Sequence, residues 1–353
     1  MTTISLPRGR RNNRLASEAA FAHALERVSA DIGVKMSVCG WCYYLEGLGT
    51  VSKAQFDQTQ DAINEIRRHG LLPIDFVAEE QGRQSQGVEW PTEETPEKHL
   101  KQYLESALVC EDSYTPDWWE GETCYIQMIV EKIDLVSLFE GTCKDYHIPI
   151  ATSSGWASML MRAHYADHFK YHESRGRTCV LLYCGDHDPA GFQISECLRE
   201  NLADLKQVRW LNGTAGYDPK NLIIERFGLN ADFIDANGLM WIDNLITGNK
   251  QKPMDLASPT HPDHGKSYVQ EYIERFGVRK CEANAMMRNS ATMESGRQLC
   301  RTAIERYYGK RSVERFRQKR FAIKKRLDDF RTRTGLAVMI QDAIETIEDS
   351  DPQ

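Results

Sequence analysis

Residues 178–205 read TCVLLYCGDHDPAGFQISECLRENLADL, an apolar run that breaks at two aspartates and resumes as an amphipathic stretch. The run VLLYC is short, continuous and bounded by turn residues, which predicts a strand buried on both faces. Asp188 followed by Pro189 is the pattern of a helix N-cap with proline in the first helical position. Beyond it Ile194, Cys197, Leu198, Leu202 and Leu205 share one helical face, so the segment reads as strand, turn and helix. Capping accounts for Asp188 but leaves Asp186 without a local reason.

The same rhythm runs upstream. YIQMIVEK (125–132) predicts a strand, DLVSLFEGTCKDY (134–146) a helix, IPIATSS (148–154) a short strand and GWASMLMRAHYADHF (155–169) a helix. Strands alternating with helices make βαβ units, so the fold class is α/β with a mainly parallel sheet. In such sheets ligands bind beyond the carboxyl ends of the strands. Glu131 stands at one predicted end and Asp186 and Asp188 at another, so three carboxylates converge there. That donor set suits Mg²⁺, with Mn²⁺ as a substitute, because both take oxygen ligands and Mg²⁺ needs only one or two carboxylates beside water and phosphate. The chemistry it suggests is phosphoryl transfer.

The rest of the chain frames this core. At 353 residues two domains are expected. A hydrophobic fraction of 41% describes a globular chain, and a formal charge of −7 argues against wholesale adhesion to nucleic acid without excluding local basic patches. No apolar run approaches the roughly 18 residues a membrane helix needs, and the basic N-terminus lacks the apolar core of a secretory signal. A cytoplasmic protein, nucleoid-associated if bound to DNA, with its ten cysteines reduced is therefore expected. Cys39 and Cys42 form a lone CxxC without the second pair of a zinc site.

Residues 1–80 combine a basic arm with helical patterns in AAFAHALERVSADI (19–32) and QFDQTQDAINEIRRHG (55–70), joined by VKMSVCGWCYYLEGLGTVSK. Short helices joined by tight turns predict a winged-helix module. Residues 81–122 are polar and rich in Pro, Gly and Glu, a connector carrying one helix over 96–108. Residues 123–353 form the α/β domain with a C-terminal basic extension. In that extension, 307–333 hold eleven Lys or Arg against three acids, with Phe316, Ile323, Leu327 and Phe330 on a helical stripe. An exposed basic helix docked by that stripe is the plainer reading, and phosphate contact the sharper one. His261, Asp263 and His264 in a proline-rich setting read as a solvated loop.

The order of strand–Glu in IQMIVEK and strand–Asp-x-Asp in LLYCGDHD, some 55 residues later, resembles the Toprim domain of topoisomerases, primases and related nucleases. GDHDPAG resembles most the A subunit of topoisomerase VI and its meiotic double-strand-break relatives, and INEIRRHGLLPIDFVAEEQGR resembles their small stand-alone Mini-A homologues. The resemblance implies Mg²⁺ held by Glu131, Asp186 and Asp188. It further implies a winged helix bearing a catalytic tyrosine, Tyr44 or with less support Tyr43, that forms a phosphotyrosyl link to DNA. A homodimer is implied as well, with tyrosine and metal site from opposite subunits. The chain carries no G-x-x-x-x-G-K-[ST] motif, so strand passage would require a separate ATPase subunit. Where the family places an arginine four residues before the second tyrosine, this chain has Gly40. Lys35, Lys53, Arg67, Arg68 or Arg83 would have to supply the cation that activates a phenol. Lys53, Arg67, Arg68, Arg83 and Lys132 are the expected DNA-binding residues.

Two other activities fit the same acids: a Toprim nuclease or non-cleaving DNA-binding protein, in which the tyrosine is packing only, and an aspartate-nucleophile phosphatase. The latter expects Asp-x-Asp near the start of its α/β domain, whereas here it follows the third predicted strand.

Overall fold

The protein is described by a computed structural model covering residues 4–9, 12–73, 76–78, 94–153, 159–207, 216–247 and 254–350. The chain divides into two compact units, Met1–Gly82 with Glu122–Tyr308, and Arg83–Gly121 with Gly309–Gln353.

At the centre of the first unit lies a parallel sheet of β1 (Cys124–Val130), β2 (Ile150–Thr152), β3 (Thr178–Cys184) and β4 (Ile223–Gly228), in the order β2-β1-β3-β4. Tyr125–Val130 and Cys179–Cys184 are buried without interruption, as strands covered on both faces must be. Each large apolar side chain so buried contributes roughly 1.5–3 kcal/mol. The expected α/β architecture is therefore present. The fourth strand is an addition: its signal is the short apolar run Leu222-Ile223-Ile224, in a stretch whose periodicity is otherwise weak.

Helices α1 (Asn12–Ile32), α2 (Val38–Gly47) and α3 (Phe56–Arg68) precede the sheet. The described residues before residue 79 contain these helices and no strand. The helical segments expected there are helices, the winged-helix arrangement itself is not shown, and no strand that could form a wing occurs among those described residues. These helices belong to the same compact unit as the sheet, unlike the separate 1–80 domain expected. Helix α5 (Ile133–Asp145) follows β1 and packs against the C-terminal helix of this unit, Ser290–Tyr308. No described helix is long and apolar enough to cross a membrane.

In the second unit, helix α4 (Pro96–Leu108) falls at the predicted position, capped by Thr95 Oγ1, which accepts from Lys98 N at 3.3 Å. It packs against the helix Leu336–Ser350. The expected connector is thus a structural partner of the C-terminal residues. The basic helix Ser312–Thr334 is docked by Phe316, edge-on to Trp118 at 6.5 Å, and by a buried Arg331 that pairs with Glu111 at 2.9 Å. Of the predicted stripe Phe316 is buried, while Phe330 is 48% exposed. Lys319 is spent on the carbonyls of Asp117, Trp118 and Glu120.

Candidate active site at the carboxyl ends of the strands

The sheet order makes the chain step from β1 outward to β2 and then back across to β3, so direction reverses between β1 and β3. Such a switch point leaves a crevice at the strand ends. Here the register pairs Val130 with Cys184, which sets Glu131 beside Gly185. Glu131 N donates to Cys184 O at 3.0 Å, and Glu131 Oε2 accepts from Asp186 N at 2.7 Å and from Tyr183 Oη at 3.2 Å. A Cβ on Gly185 would collide with the Tyr183 hydroxyl and lie 2.5 Å from Glu131 Oε2. The glycine of GDHD is therefore the condition for the two acids meeting.

Asp188 performs the capping role read from the sequence, Oδ1 accepting from Gly191 N at 2.6 Å at the start of the helix Pro189–Ala203. The loop between the acids is clamped by Arg226 from β4, whose guanidinium donates to the carbonyls of Asp186 at 2.9 Å and Leu229 at 2.8 Å. His187 lies between the two aspartates but turns away. Its ring is boxed by Phe192, Trp241, Tyr272 and Phe276, and Nδ1 is 2.6 Å from Tyr272 Oη. Burial, aided by Arg226, pulls its pKa down to about 4, so it is neutral at physiological pH.

The remainder of the site comes from a segment the sequence did not explain, CEANAM (281–286). Cys281 and His187 exchange backbone hydrogen bonds of 2.8 and 3.0 Å. Ala283 N donates to Asp186 Oδ1 at 2.7 Å. Lys132 Nζ stands 2.8 Å from both Asp186 Oδ2 and Glu282 Oε2. Tyr43 Oη donates to that same Glu282 oxygen at 3.3 Å. A continuous polar chain thus runs Tyr43, Glu282, Lys132, Asp186 within one subunit. Asn284 Nδ2 donates to Asp134 Oδ2 at 2.8 Å, while Asp134 also accepts from Ser37 N at 2.5 Å and Ser37 Oγ at 2.7 Å. Asp134 thereby anchors the start of the tyrosine-bearing helix α2. Glu282 lies 150 positions from Lys132, and a partner so distant along the chain leaves no local signal.

Burial, then the charge of Asp186, pushes the Glu131 carboxyl above its usual range. Burial raises Asp188 as well, opposed by Gly191 N–H and assisted by Asp186. Burial would also raise Glu282, but Lys132 foremost, with Lys280 and Lys53, more than offsets it and its pKa falls. Glu131 and Asp188 are thus short of positive charge, and every candidate donor is a carboxylate oxygen, which suits a hard divalent cation. Glu131 Oε1 and Asp188 Oδ2 carry no hydrogen bond among the described residues. As the side chains stand, no group of three His, Cys, Asp or Glu among the described residues could hold a metal ion. An ion that keeps several waters and takes one or two carboxylates still fits the donor set.

A folded pKa raised above the unfolded value gives stability that is full below the unfolded pKa and lost as pH rises through the folded one. The charges of Glu131 and Asp188 therefore destabilise the cation-free protein at neutral pH. Glu131→Gln and Asp188→Asn, the latter keeping a good cap, are each expected to stabilise it on the order of 1 kcal/mol, the size usual for relieving a functional site. Thermal melts in chelator at pH 7.5 should show the gain, which should shrink as pH falls into the carboxylate range. A loss at pH 7.5 would contradict this account.

The other expected site residues are scattered. Tyr44 follows Tyr43 on α2 but packs edge-on against Trp41 at 5.9 Å, and the charge acting on it after burial is Asp31. Lys53 Nζ lies 5.2 Å from the centre of the Tyr43 ring. Arg67 donates to Asn64 Oδ1 at 3.1 Å, on α3. Lys132, expected on DNA, is turned onto the acids. The Arg68 side chain and Arg83 lie outside the described residues. Cys39 and Cys42 are free thiols. His261 and His264 are used in turns, accepting from Asp263 N at 3.0 Å and meeting Leu256 O at 2.8 Å.

Compared with protein-family models, with curated proteins and with solved structures, the chain gives no significant match.

Proposed function

We propose that this protein is a Mg²⁺-dependent DNA-cleaving transesterase with a Toprim-type α/β domain, related in design to the topoisomerase VI A subunit, and that Tyr43 is its nucleophile. The observation carrying this reading is the polar chain from Tyr43 Oη through Glu282 and Lys132 to Asp186, which joins the tyrosine helix to the strand-end acids. Glu131, Asp186 and Asp188 would hold the ion, which when bound supplies Lewis-acid stabilisation to the phosphate oxygens.

In this reading the phenolic oxygen of Tyr43 forms the bond to phosphorus while the bond from phosphorus to a deoxyribose oxygen breaks. The phenolic proton passes to Glu282, to which it is already donated, and the leaving oxygen takes a proton from solvent. Burial opposes ionisation of Tyr43 and raises its pKa, with Glu282 adding to the effect; transfer to Glu282 concerted with attack avoids a free phenolate. Lys53 over the Tyr43 ring takes the place of the cation that Gly40 cannot carry. Arg288 lines the same cleft, with Tyr43, Lys53 and Glu282. The chain of contacts lies in one subunit, so the site is proposed to work in cis; a homodimer would place two such sites on the two strands of DNA. Strand passage would require a separate ATPase partner.

The burial of Tyr43 favours a second reading, hydrolysis by water at the same acids. Supercoiled plasmid incubated with Mg²⁺ or Mn²⁺ separates the two. Tyr43→Phe is expected to abolish protein covalently attached to DNA ends, and Tyr44→Phe to leave it within about threefold of wild type, the effect of a packing change alone. Cleavage surviving Tyr43→Phe without an adduct would establish hydrolysis. Loss of the adduct only in Tyr44→Phe would reverse the assignment.

A further inference from the structure

Lys132 already performs a cation's task at the central aspartate. Its ammonium is 2.8 Å from Asp186 Oδ2 and 2.8 Å from Glu282 Oε2, while Asp186 Oδ1 is taken by Ala283 N. The pair is well shielded, with side-chain exposures of 25% for Lys132, 13% for Asp186 and 29% for Glu282. Both oxygens of the central aspartate are therefore committed, one to the backbone and one to lysine. Glu131 and Asp188 each retain an oxygen without a hydrogen bond among the described residues, but Asp186 has none to offer while Lys132 stays.

Resting on the metal site proposed above, we infer that Lys132 is a resident counter-ion that a divalent cation must displace from Asp186, so that ammonium and metal occupy Asp186 Oδ2 in turn. Two positive charges a few ångströms apart repel strongly where solvent is scarce, and sharing one carboxylate oxygen would hold ammonium and metal that close. The device protects the site: with lysine in place the acids are partly neutralised and their loop is held. It also links the metal to the nucleophile, because the same ammonium holds Glu282, the acceptor of the Tyr43 hydroxyl. When the ion arrives, Lys132 keeps Glu282 as its remaining partner and is free to meet a phosphate beside Tyr43.

The test is Mn²⁺ binding to the full-length protein without DNA, by calorimetry and by the electron paramagnetic resonance of free Mn²⁺. Lys132→Met, close in length and without charge, is expected to bind Mn²⁺ at least about tenfold more tightly than wild type, or about 1.4 kcal/mol. Lys132→Arg, which keeps the charge, is expected to bind no more tightly than wild type, and a thermal melt establishes that each variant is folded. If Lys132→Met does not fold, Lys132→Gln carries the same expectation. Equal or weaker binding by the uncharged variant would overturn the displacement while leaving the metal site standing. Absence of Mn²⁺ binding in wild type and variants alike would overturn both.

Discussion

Asp186→Asn is expected to abolish the Mg²⁺-dependent plasmid cleavage proposed here, by about a thousandfold or more, while leaving the protein folded. Asp186 is the hub of the site: its backbone N–H holds Glu131 at 2.7 Å, Oδ1 receives Ala283 N at 2.7 Å, and Oδ2 faces Lys132 at 2.8 Å. Asparagine retains the backbone donor and can present its amide oxygen to Ala283, so the loop keeps its shape. It removes the negative charge that an incoming cation would meet and turns an NH₂ toward the ammonium of Lys132. A thousandfold loss corresponds to roughly 4 kcal/mol of transition-state stabilisation, within the several kcal/mol that Lewis-acid catalysis supplies. Plasmid nicking rates read the effect, and a melt within a few degrees of wild type separates lost chemistry from lost structure. Cleavage retained at near wild-type rate in Asp186→Asn would remove this aspartate, and with it the metal site, from the mechanism.

The largest expected effect on stability comes from Gly40. A Cβ there would lie 2.7 Å from Asp134 Oδ1 and 3.0 Å from its Cγ. Asp134 cannot yield easily, because it accepts from Ser37 N, Ser37 Oγ and Asn284 Nδ2 at 2.5, 2.7 and 2.8 Å and is 1% exposed. A methyl group must therefore either shift α2 or break bonds to a buried carboxylate. Overpacking costs typically 1–3 kcal/mol and an unsatisfied buried polar group a further 1–3 kcal/mol. Alanine's better helix propensity returns roughly 1 kcal/mol at most. The steric and polar terms win, and Gly40→Ala is expected to destabilise by about 2–4 kcal/mol in urea or thermal unfolding. Gly141, in α5, has open space where a Cβ would point, so Gly141→Ala should be neutral or stabilising by up to about 1 kcal/mol. Equal effects of the two substitutions would show that Asp134 does not hold α2 as described. The same geometry explains why the arginine implied at this position by the family resemblance has no room here.

Much of the core was legible along the chain. The strands at 124–130, 150–152 and 178–184 lie where apolar runs alternate with helical periodicity, and the cap at Asp188 follows from the Asp-Pro pair. Strand β4 was not, because IIERFG (223–228) places Glu225 and Arg226 in its middle, and charges interrupt the apolar run by which a buried strand is read. The helix at 96–108 was read correctly, but its role was not: that it packs with the C-terminal residues follows from contacts over 200 residues away, such as Lys101 with Glu348.

The choice between Tyr43 and Tyr44 shows the boundary most sharply. Neighbours on a helix point about 100° apart, so one faces the acids and the other Trp41, and their order in the chain says nothing about which. The sequence by itself determined the local things: the buried strands, the turn that brings Asp186 and Asp188 to a strand end, and the cap that sets α-helical direction after it. Tertiary structure alone decided what meets those acids, since Lys132, Glu282 and Tyr43 are brought together by sheet order and by the packing of the CEANAM segment, not by spacing. Periodicity is a property of neighbouring residues, and the site is a property of residues up to 239 positions apart.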